Sequence, residues 1–136
     1  MNAKPPAERT LLADLVPGDA LGPLPLEVSP AANERYWLAA GIVHPARAAG
    51  RLYPPMAANL TILLVQTVVA EPLLHTAQRL VCHRAADAGT ELLVAGEVAS
   101  RFTRRGREYA VVDASITLPD GELLWTSQAT FTPVAS

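Results

Sequence analysis

The run from Met56 to Ala70 constrains the fold more than any other part of this sequence. It contains no charged residue, and its polar positions are Asn59, Thr61, Gln66 and Thr67. Prolines 54 and 55 precede it and Pro72 follows it, which suits the start and the end of a helix. As a helix these 15 residues are about 22 Å long, and they are fewer than the ~20 residues needed to span a bilayer. Because it is apolar on every side, we expect it to lie buried at the centre of the protein.

Four strand-like segments follow this run and are separated by turn signals. Alternating apolar residues indicate one buried face in each of the last three segments, with Phe102 and Leu123 among the residues assigned to those faces. The predicted strands are Leu74–Arg84, Glu91–Phe102, Glu108–Leu118 and Leu123–Pro133. One buried helix followed by a β-meander predicts an α+β domain in which an antiparallel sheet curls around the helix.

The first part of the chain is rich in proline, and residues 1–23 are predicted to be an extended lead-in. A short strand is expected over Leu24–Val28. Ser29 and Pro30 are typical of a helix start, and Gly41 is a good stop, so a first helix is predicted from Pro30 to Ala40. Tyr36, Trp37 and Ala40 would supply its apolar side.

Composition excludes several classes of protein. The chain has 136 residues, is 50% hydrophobic and carries a formal charge of −2, which fits one globular domain and argues against a nucleic-acid binder or a polybasic membrane-surface protein. The single cysteine, Cys82, rules out an internal disulfide framework, and it is expected to be a small core residue. The polar, proline-rich start shows no export signal, so a cytoplasmic location is expected.

The order of these elements resembles the hot-dog fold. Within that superfamily the chain is most similar to the MaoC-like and fatty-acid-synthase-type dehydratases, which hydrate enoyl thioesters or dehydrate 3-hydroxyacyl thioesters. The matching pieces are Tyr36 to Gly41, His44-Pro45, Ala46 to Gly50, Pro54-Pro55-Met56, Ala88 to Leu92, Arg104 to Gly106 and Asp120-Gly121. The resemblance implies a single hot-dog domain that acts on coenzyme A or acyl-carrier-protein thioesters.

The catalytic motif of that family departs from its usual form in this chain. Active members carry Gly-Asp-x-Asn-Pro-(Ile/Leu)-His before the central helix, whereas this chain reads Gly41-Ile42-Val43-His44-Pro45-Ala46-Arg47. Ile42 stands in the position of the acid and Arg47 in that of the histidine. A shifted alignment lets His44 take the histidine role, but the acid is still missing.

The resemblance nevertheless implies a set of site residues. His44 would be the base, and backbone N–H groups of Met56 and Ala57 at the start of the central helix would hold the thioester oxygen. Arg47 is a candidate for a thioester phosphate or for an acid on a partner chain, and Tyr53 for the wall of the acyl pocket. Arg104 and Arg105, in an arginine-rich hairpin turn, are candidates for coenzyme A phosphates or an acidic carrier protein. Each of these residues also has an ordinary structural explanation.

His75 and His83 are expected on one face of a strand, but without a nearby carboxylate they make a poor metal site, so no metal and no cofactor are expected. The exposed edge of a curled sheet favours a homodimer or a heterodimer with another hot-dog chain. Three functions stay open: a hydratase or dehydratase that uses His44, a non-catalytic subunit that pairs with an active homologue and shapes the acyl pocket, and a hot-dog thioesterase.

Overall fold

The computed structural model describes residues 10–134, so the first nine residues of the predicted lead-in lie outside the described part of the chain. The strands and helices follow the predicted order. They are β1 (Ala20–Glu27), α1 (Pro30–Ala40), α2 (Pro45–Ala48), α3 (Ala57–Gln66), β2 (Leu73–Cys82), β3 (Glu91–Arg104), β4 (Arg107–Thr117) and β5 (Leu123–Pro133).

The five strands form one antiparallel sheet in the order β1-β3-β4-β5-β2. Helix α3 packs against β1, β2, β3 and β5, and its Leu60, Leu64 and Val65 are buried in the core together with Trp125 and Phe131 of β5. The predicted α+β architecture, an antiparallel sheet around an apolar helix, is confirmed.

Helix α1 has the predicted bounds because the residues that cap it lie directly at its two ends. The Ser29 hydroxyl accepts a hydrogen bond from Ala32 N at 3.1 Å, and Gly41 ends the helix with φ 68°. Trp37 is buried and Tyr36 is half-buried, but Ala40 is exposed, so the predicted apolar side was wrong at Ala40.

The central helix is shorter than predicted. A 3₁₀ turn over Pro54–Met56 leads into α3, which ends at Gln66 rather than Ala70. Beyond it, Val68 O accepts from Thr10 N, and Ala70 N donates to Thr10 O, so this part of the apolar run is buried by pairing with the beginning of the chain. Leu63 is 46% exposed, which shows that α3 is not covered on every side within one chain.

The lead-in also differs from its prediction. A 3₁₀ turn forms over Leu12–Asp14, with Leu12 completely buried, and β1 starts at Ala20 rather than Leu24. Pro23 and Pro25 lie within β1, which is possible because this strand is at an edge of the sheet and pairs only with β3.

Several of the predicted strand faces are wrong because the pairing between strands is irregular. Extra residues at Thr76 in β2 and Ala99 in β3 form bulges, and each bulge reverses the face on which the following side chains lie. Phe102, beyond the second bulge, is therefore 41% exposed and stacks on Tyr109. A further irregularity near the start of β5 leaves Leu123 exposed.

The bulge at Thr76 in β2 separates the two histidines. His75 stacks on the buried Phe131, whereas His83 contacts Thr126 on the opposite face, so they do not share a face as predicted. Cys82 is exposed near the end of the edge strand and is not a core residue. Within residues 10–134, no group of His, Cys, Asp and Glu side chains is arranged to hold a metal, and none of the described helices is long and apolar enough to cross a membrane.

Candidate functional site

A cleft of about 320 Å³ lies beside the start of the central helix. Its walls are mostly apolar, and aromatic rings form one side of it: Trp37 is stacked on His44 and meets Tyr53 edge to face, at a centroid distance of 5.0 Å. The lining residues are Trp37, Ile42, His44, Ala46, Arg51, Leu52, Tyr53, Pro54, Pro55 and Ala85.

Helix α1 holds the floor of this cleft through two side chains one turn apart. Asn33 Nδ2 and Trp37 Nε1 both donate to Arg51 O, at 2.8 and 3.0 Å, and Asn33 Oδ1 accepts from Tyr53 N at 2.9 Å. Asn33 is only 4% exposed. The side-chain amide thus satisfies the Arg51 C=O and the Tyr53 N–H, two backbone groups that a neighbouring strand would otherwise pair with.

The other side of this segment pairs with the loop before β3. Leu52 N donates to Ala86 O at 2.8 Å, and Ala88 N donates to Gly50 O at 2.9 Å. Arg51 forms an ion pair with Asp87 at 2.6 Å between Nη1 and Oδ1. The cleft is therefore built from parts of the chain that are distant in sequence, and they are held together by hydrogen bonds to the backbone of residues 50–53 and by one ion pair.

His44 lines the cleft. A histidine that acts as a base through Nε2 carries its proton on Nδ1 and donates from there, whereas Nδ1 of His44 accepts a hydrogen bond. Its Nδ1 accepts from Ala46 N at 3.0 Å, which caps α2. A ring turned the other way would place a C–H group against this N–H group, so the hydrogen bond fixes the ring orientation. With Nδ1 as the acceptor, the neutral ring carries its proton on Nε2 and offers a donor there.

Arg47 is held within its own chain. Its guanidinium makes a two-pronged contact with Glu34 Oε1, and Nη1 donates to Ile42 O at 3.3 Å. Hydrogen bonding to Arg47 lowers the pKa of Glu34 from its usual 4.5, and the same bond raises the pKa of Arg47. Arg47 therefore braces the loop that carries Ile42 and His44, and it is not among the residues that line the cleft.

The two backbone donors predicted at the helix start, Met56 N and Ala57 N, already have acceptors within the chain. Met56 N donates to Tyr53 O at 3.1 Å, and Ala57 N donates to Pro54 O and Pro55 O. Both residues are buried. Pro54 and Pro55 have no N–H group, and Tyr53 N is bonded to Asn33. The N–H groups of Tyr53, Met56 and Ala57 are thus all paired within the chain rather than free for a thioester oxygen.

Arg104 and Arg105 lie at the turn between β3 and β4, at the far end of β3 from the cleft. Thirteen steps along β3 separate Glu91 from Arg104, which is on the order of 40 Å. Their neighbours have structural roles, since Arg101 binds Leu12 O and Leu15 O and Arg107 binds Pro133 O. The structure brings neither Arg104 nor Arg105 near the cleft of the same chain.

Of the predicted site residues, the structure therefore places His44 and Tyr53 in the cleft. Ile42, in the position of the family's acid, also lines it, and no carboxylate is among the described lining residues. The sequence reasoning missed Asn33 and Arg51. Asn33 lies four residues before Trp37 and so on the same helix face, and a polar residue on an otherwise apolar face was the available signal.

Comparison with known proteins supports the fold. No family model and no curated protein matches the chain. Among solved structures, the C-terminally truncated HadBC (3R-hydroxyacyl-ACP dehydratase) complex from Mycobacterium tuberculosis is 20% identical with a TM-score of 0.67, over 87% of this chain and 98% of that one.

Two further structures agree. The MaoC-like dehydratase from Rhodospirillum rubrum is 19% identical with a TM-score of 0.70, over 91% of this chain and 96% of that one. The (R)-hydratase from A. caviae involved in PHA biosynthesis is 19% identical with a TM-score of 0.64, over 87% and 96%. The chain therefore has the hot-dog fold, in the form found in MaoC-like dehydratases and (R)-hydratases.

Proposed function

We propose that this chain binds an acyl thioester in its cleft and acts as a subunit of a hydratase or dehydratase whose catalytic acid and base come from a second hot-dog chain. The thioester would be of the enoyl or 3-hydroxyacyl type, on coenzyme A or an acyl-carrier protein. Support comes from a cleft at the start of the central helix of a fold that known dehydratases and hydratases share.

The proposal rests on an apolar, aromatic-walled cleft in which no described lining residue is a carboxylate and His44 Nδ1 already accepts a hydrogen bond. Adding water to an enoyl thioester needs a group that removes a proton from water. His44 presents Nε2–H in its neutral form, and the described lining residues include no carboxylate. The cleft can hold an acyl group against Trp37 and Tyr53, and His44 can donate to a carbonyl oxygen.

A second candidate is a hydratase or dehydratase that works by itself with His44. It is favoured by the place of His44 in the cleft and by the same structural likenesses. A thioesterase ranks last, because α3, over Ala57–Gln66, contains no carboxylate that could activate water.

The test uses the purified full chain with crotonyl-CoA and longer enoyl-CoAs. Binding is measured by calorimetry, loss of the enoyl by absorbance and release of coenzyme A by a thiol reagent. We expect binding that weakens at least tenfold in Trp37→Ala, no turnover by the chain alone, and hydration when it is co-expressed with a hot-dog chain that has an intact Asp/His loop. Val16→Lys, on an exposed residue outside the cleft, is the matched control.

Each other outcome has a definite meaning. Hydration by the chain alone that is lost in His44→Ala would replace the proposal with the second candidate. Hydration alone that survives His44→Ala would exclude both the partner requirement and His44 as the base. Thiol release would identify a thioesterase, and unchanged binding in Trp37→Ala would remove the cleft as the site.

A further inference from the structure

Arg51 gives the cleft a positive charge. It is the only arginine or lysine among the described residues that line the cleft, and no carboxylate is among them. Apart from His44, the other lining residues are apolar or aromatic. A guanidinium stays charged throughout the physiological pH range. The one permanent charge among the groups that line the cleft is therefore positive, although the whole chain carries a formal charge of −2.

The backbone of Arg51 is fixed on both sides. Arg51 N donates to Ala46 O at 2.9 Å, and Arg51 O accepts from Asn33 Nδ2 and Trp37 Nε1 at 2.8 and 3.0 Å. Its side chain, by contrast, is 46% exposed. The fold thus sets the point from which the guanidinium reaches and leaves the guanidinium itself accessible to a ligand.

The guanidinium of Arg51 is only partly used within the chain. Nη1 donates to Asp87 Oδ1 at 2.6 Å, whereas Nε and Nη2 have no hydrogen-bond partner among the described residues. Both side chains of this ion pair are about half exposed, so the pair holds its members only weakly. A guanidinium presents five N–H donors in a planar fork and binds a carboxylate best through two of them. Arg51 can therefore bind a second carboxylate beside Asp87 or in exchange for it.

We propose that Arg51 is the anion-binding residue of the cleft, and that the cleft takes ligands in which a carboxylate is joined to an apolar body. The carboxylate pairs with the guanidinium, and the apolar body lies against Trp37 and Tyr53. Asp87, which is not among the lining residues, competes with the ligand for Arg51. Two sources fit this chemistry: a free carboxylic acid, and an acyl thioester whose acyl group carries a carboxylate at its far end.

The surroundings of Arg51 favour this class of ligand over others. The group that Arg51 already holds is a carboxylate, so a ligand carboxylate repeats a contact that the chain itself makes. The cleft of about 320 Å³ has mostly apolar walls, which offer little to a ligand that is polar throughout. A cationic ligand would meet the like charge of Arg51 without a carboxylate among the described lining residues to balance it.

The inference deepens the proposed function by naming a ligand class for the same cleft, and only the thioester part of its test rests on that function. Calorimetry at one ionic strength compares hexanoate with hexanamide, and glutaryl-CoA with pentanoyl-CoA. The members of each pair are similar in size and differ in one carboxylate, and the coenzyme A phosphates cancel in the second pair. We expect the carboxylate to bind at least tenfold more tightly in the first pair if the ligand is a free acid, and in the second pair if it is a thioester.

Two variants of the ion pair separate ligand binding from a structural role. Arg51→Gln should weaken binding of the carboxylate ligand at least tenfold, whereas Asp87→Asn should tighten it at least twofold, because it removes the competing negative charge. An ion pair that only braced the cleft would be broken by either variant, and both would then change binding in the same direction. Arg105→Gln removes the same charge at an exposed residue in the turn between β3 and β4, and it should bind like the unmodified chain.

The outcomes distinguish this inference from the proposed function. Equal affinities within both pairs, or a carboxylate preference that survives Arg51→Gln, would overturn the inference, and so would weaker binding of the carboxylate ligand to Asp87→Asn. The last result decides the matter even if Arg51→Gln fails to fold. Binding of pentanoyl-CoA without any gain from a carboxylate would leave the proposed function standing alone. Binding of hexanoate through Arg51 without binding of either thioester would support the inference and contradict the proposed function.

Discussion

At the level of single residues, one hydrogen bond decides what His44 can do. Because Ala46 N donates to Nδ1, we expect the neutral ring to carry its proton on Nε2. Two-bond ¹H–¹⁵N spectra at pH 8 should show an unprotonated Nδ1 and a protonated Nε2. The opposite tautomer would restore His44 as a possible base and favour the hydratase that works alone.

The contact between Glu34 and Arg47 gives the cleft loop a pH dependence. The pKa of Glu34 is lowered in the folded chain, so the pair stabilises the fold above the usual value of 4.5 and is lost as pH falls through the lowered pKa. We expect the Arg47 Nε–Hε NMR signal to shift as pH falls below about 4.5. Glu34→Gln should show no such titration. A titration that persists in Glu34→Gln would mean that another acid holds Arg47.

Asn33 is the residue on which the floor of the cleft depends. Replacement by alanine leaves Tyr53 N without its acceptor and removes one of the two donors to Arg51 O. We expect Asn33→Ala to lower the free energy of unfolding by about 1–3 kcal/mol in urea titrations. Asn59→Ala, at an exposed residue with a long 3.4 Å bond to Tyr36, should stay within about 0.5 kcal/mol of the unmodified chain. Equal effects at both positions would refute the role of Asn33.

At the level of secondary-structure elements, Gly96 allows β3 and β4 to approach closely. A Cβ atom added there would overlap Asp113 O and crowd Ala114. Since the obstacle is backbone, the two strands would have to separate, and we expect Gly96→Ala to cost about 1–3 kcal/mol. Urea unfolding checks this against Ser100→Ala, an exposed site on the same strand. A loss for Gly96→Ala no larger than that for the control would show that the strands can adjust freely.

The sequence predicted the elements well where their signals are local. Helix α1 follows from Ser29, Pro30 and Gly41, which fix its ends by capping alone. The end of α3 was overestimated, because Val68 and Val69 stay apolar and buried after the helix stops and pair with Thr10, a contact that periodicity does not report. In β3 the predicted buried face is right up to the bulge at Ala99 and wrong at Phe102, and in β2 the bulge at Thr76 puts His75 and His83 on opposite faces. A bulge leaves no clear mark in an alternating pattern.

The cleft was harder to predict than the fold. His44 and Tyr53 were found because they lie in the loop before the central helix. Arg51 belongs to the site only through its pairing with Asp87, and Ala85 only through the fold, so sequence spacing does not connect them. The backbone donors were predicted at the start of the central helix, where the 3₁₀ turn pairs the Met56 and Ala57 N–H groups that an ordinary α-helical start would leave free.

At the level of the whole molecule, a short network of polar side chains joins the central helix α3 to the edge strand β2. Thr61 on α3 bonds to Ser127 on β5 at 2.8 Å, and Ser127 accepts from Gln78 on β2. Thr61 is completely buried, so this network crosses an otherwise apolar core. A buried polar network fixes one relative position of the elements it joins. The helix that carries the cleft at its start is thus linked to the edge strand β2 through β5.

The homodimer that the exposed edge of β2 favours would make the stability of the molecule depend on its concentration. If the chain unfolds from a dimer, each tenfold rise in concentration adds about 1.4 kcal/mol per mole of dimer, so the Tm should rise by about 3 °C. Val81→Lys should remove this dependence while keeping the Tm close to that of the unmodified chain at the lowest concentration, because Val81 is 44% exposed in the single chain. Differential scanning calorimetry over a hundredfold range of concentration measures both effects. A Tm of the unmodified chain that does not change with concentration would contradict a paired edge, whatever the activity of the cleft.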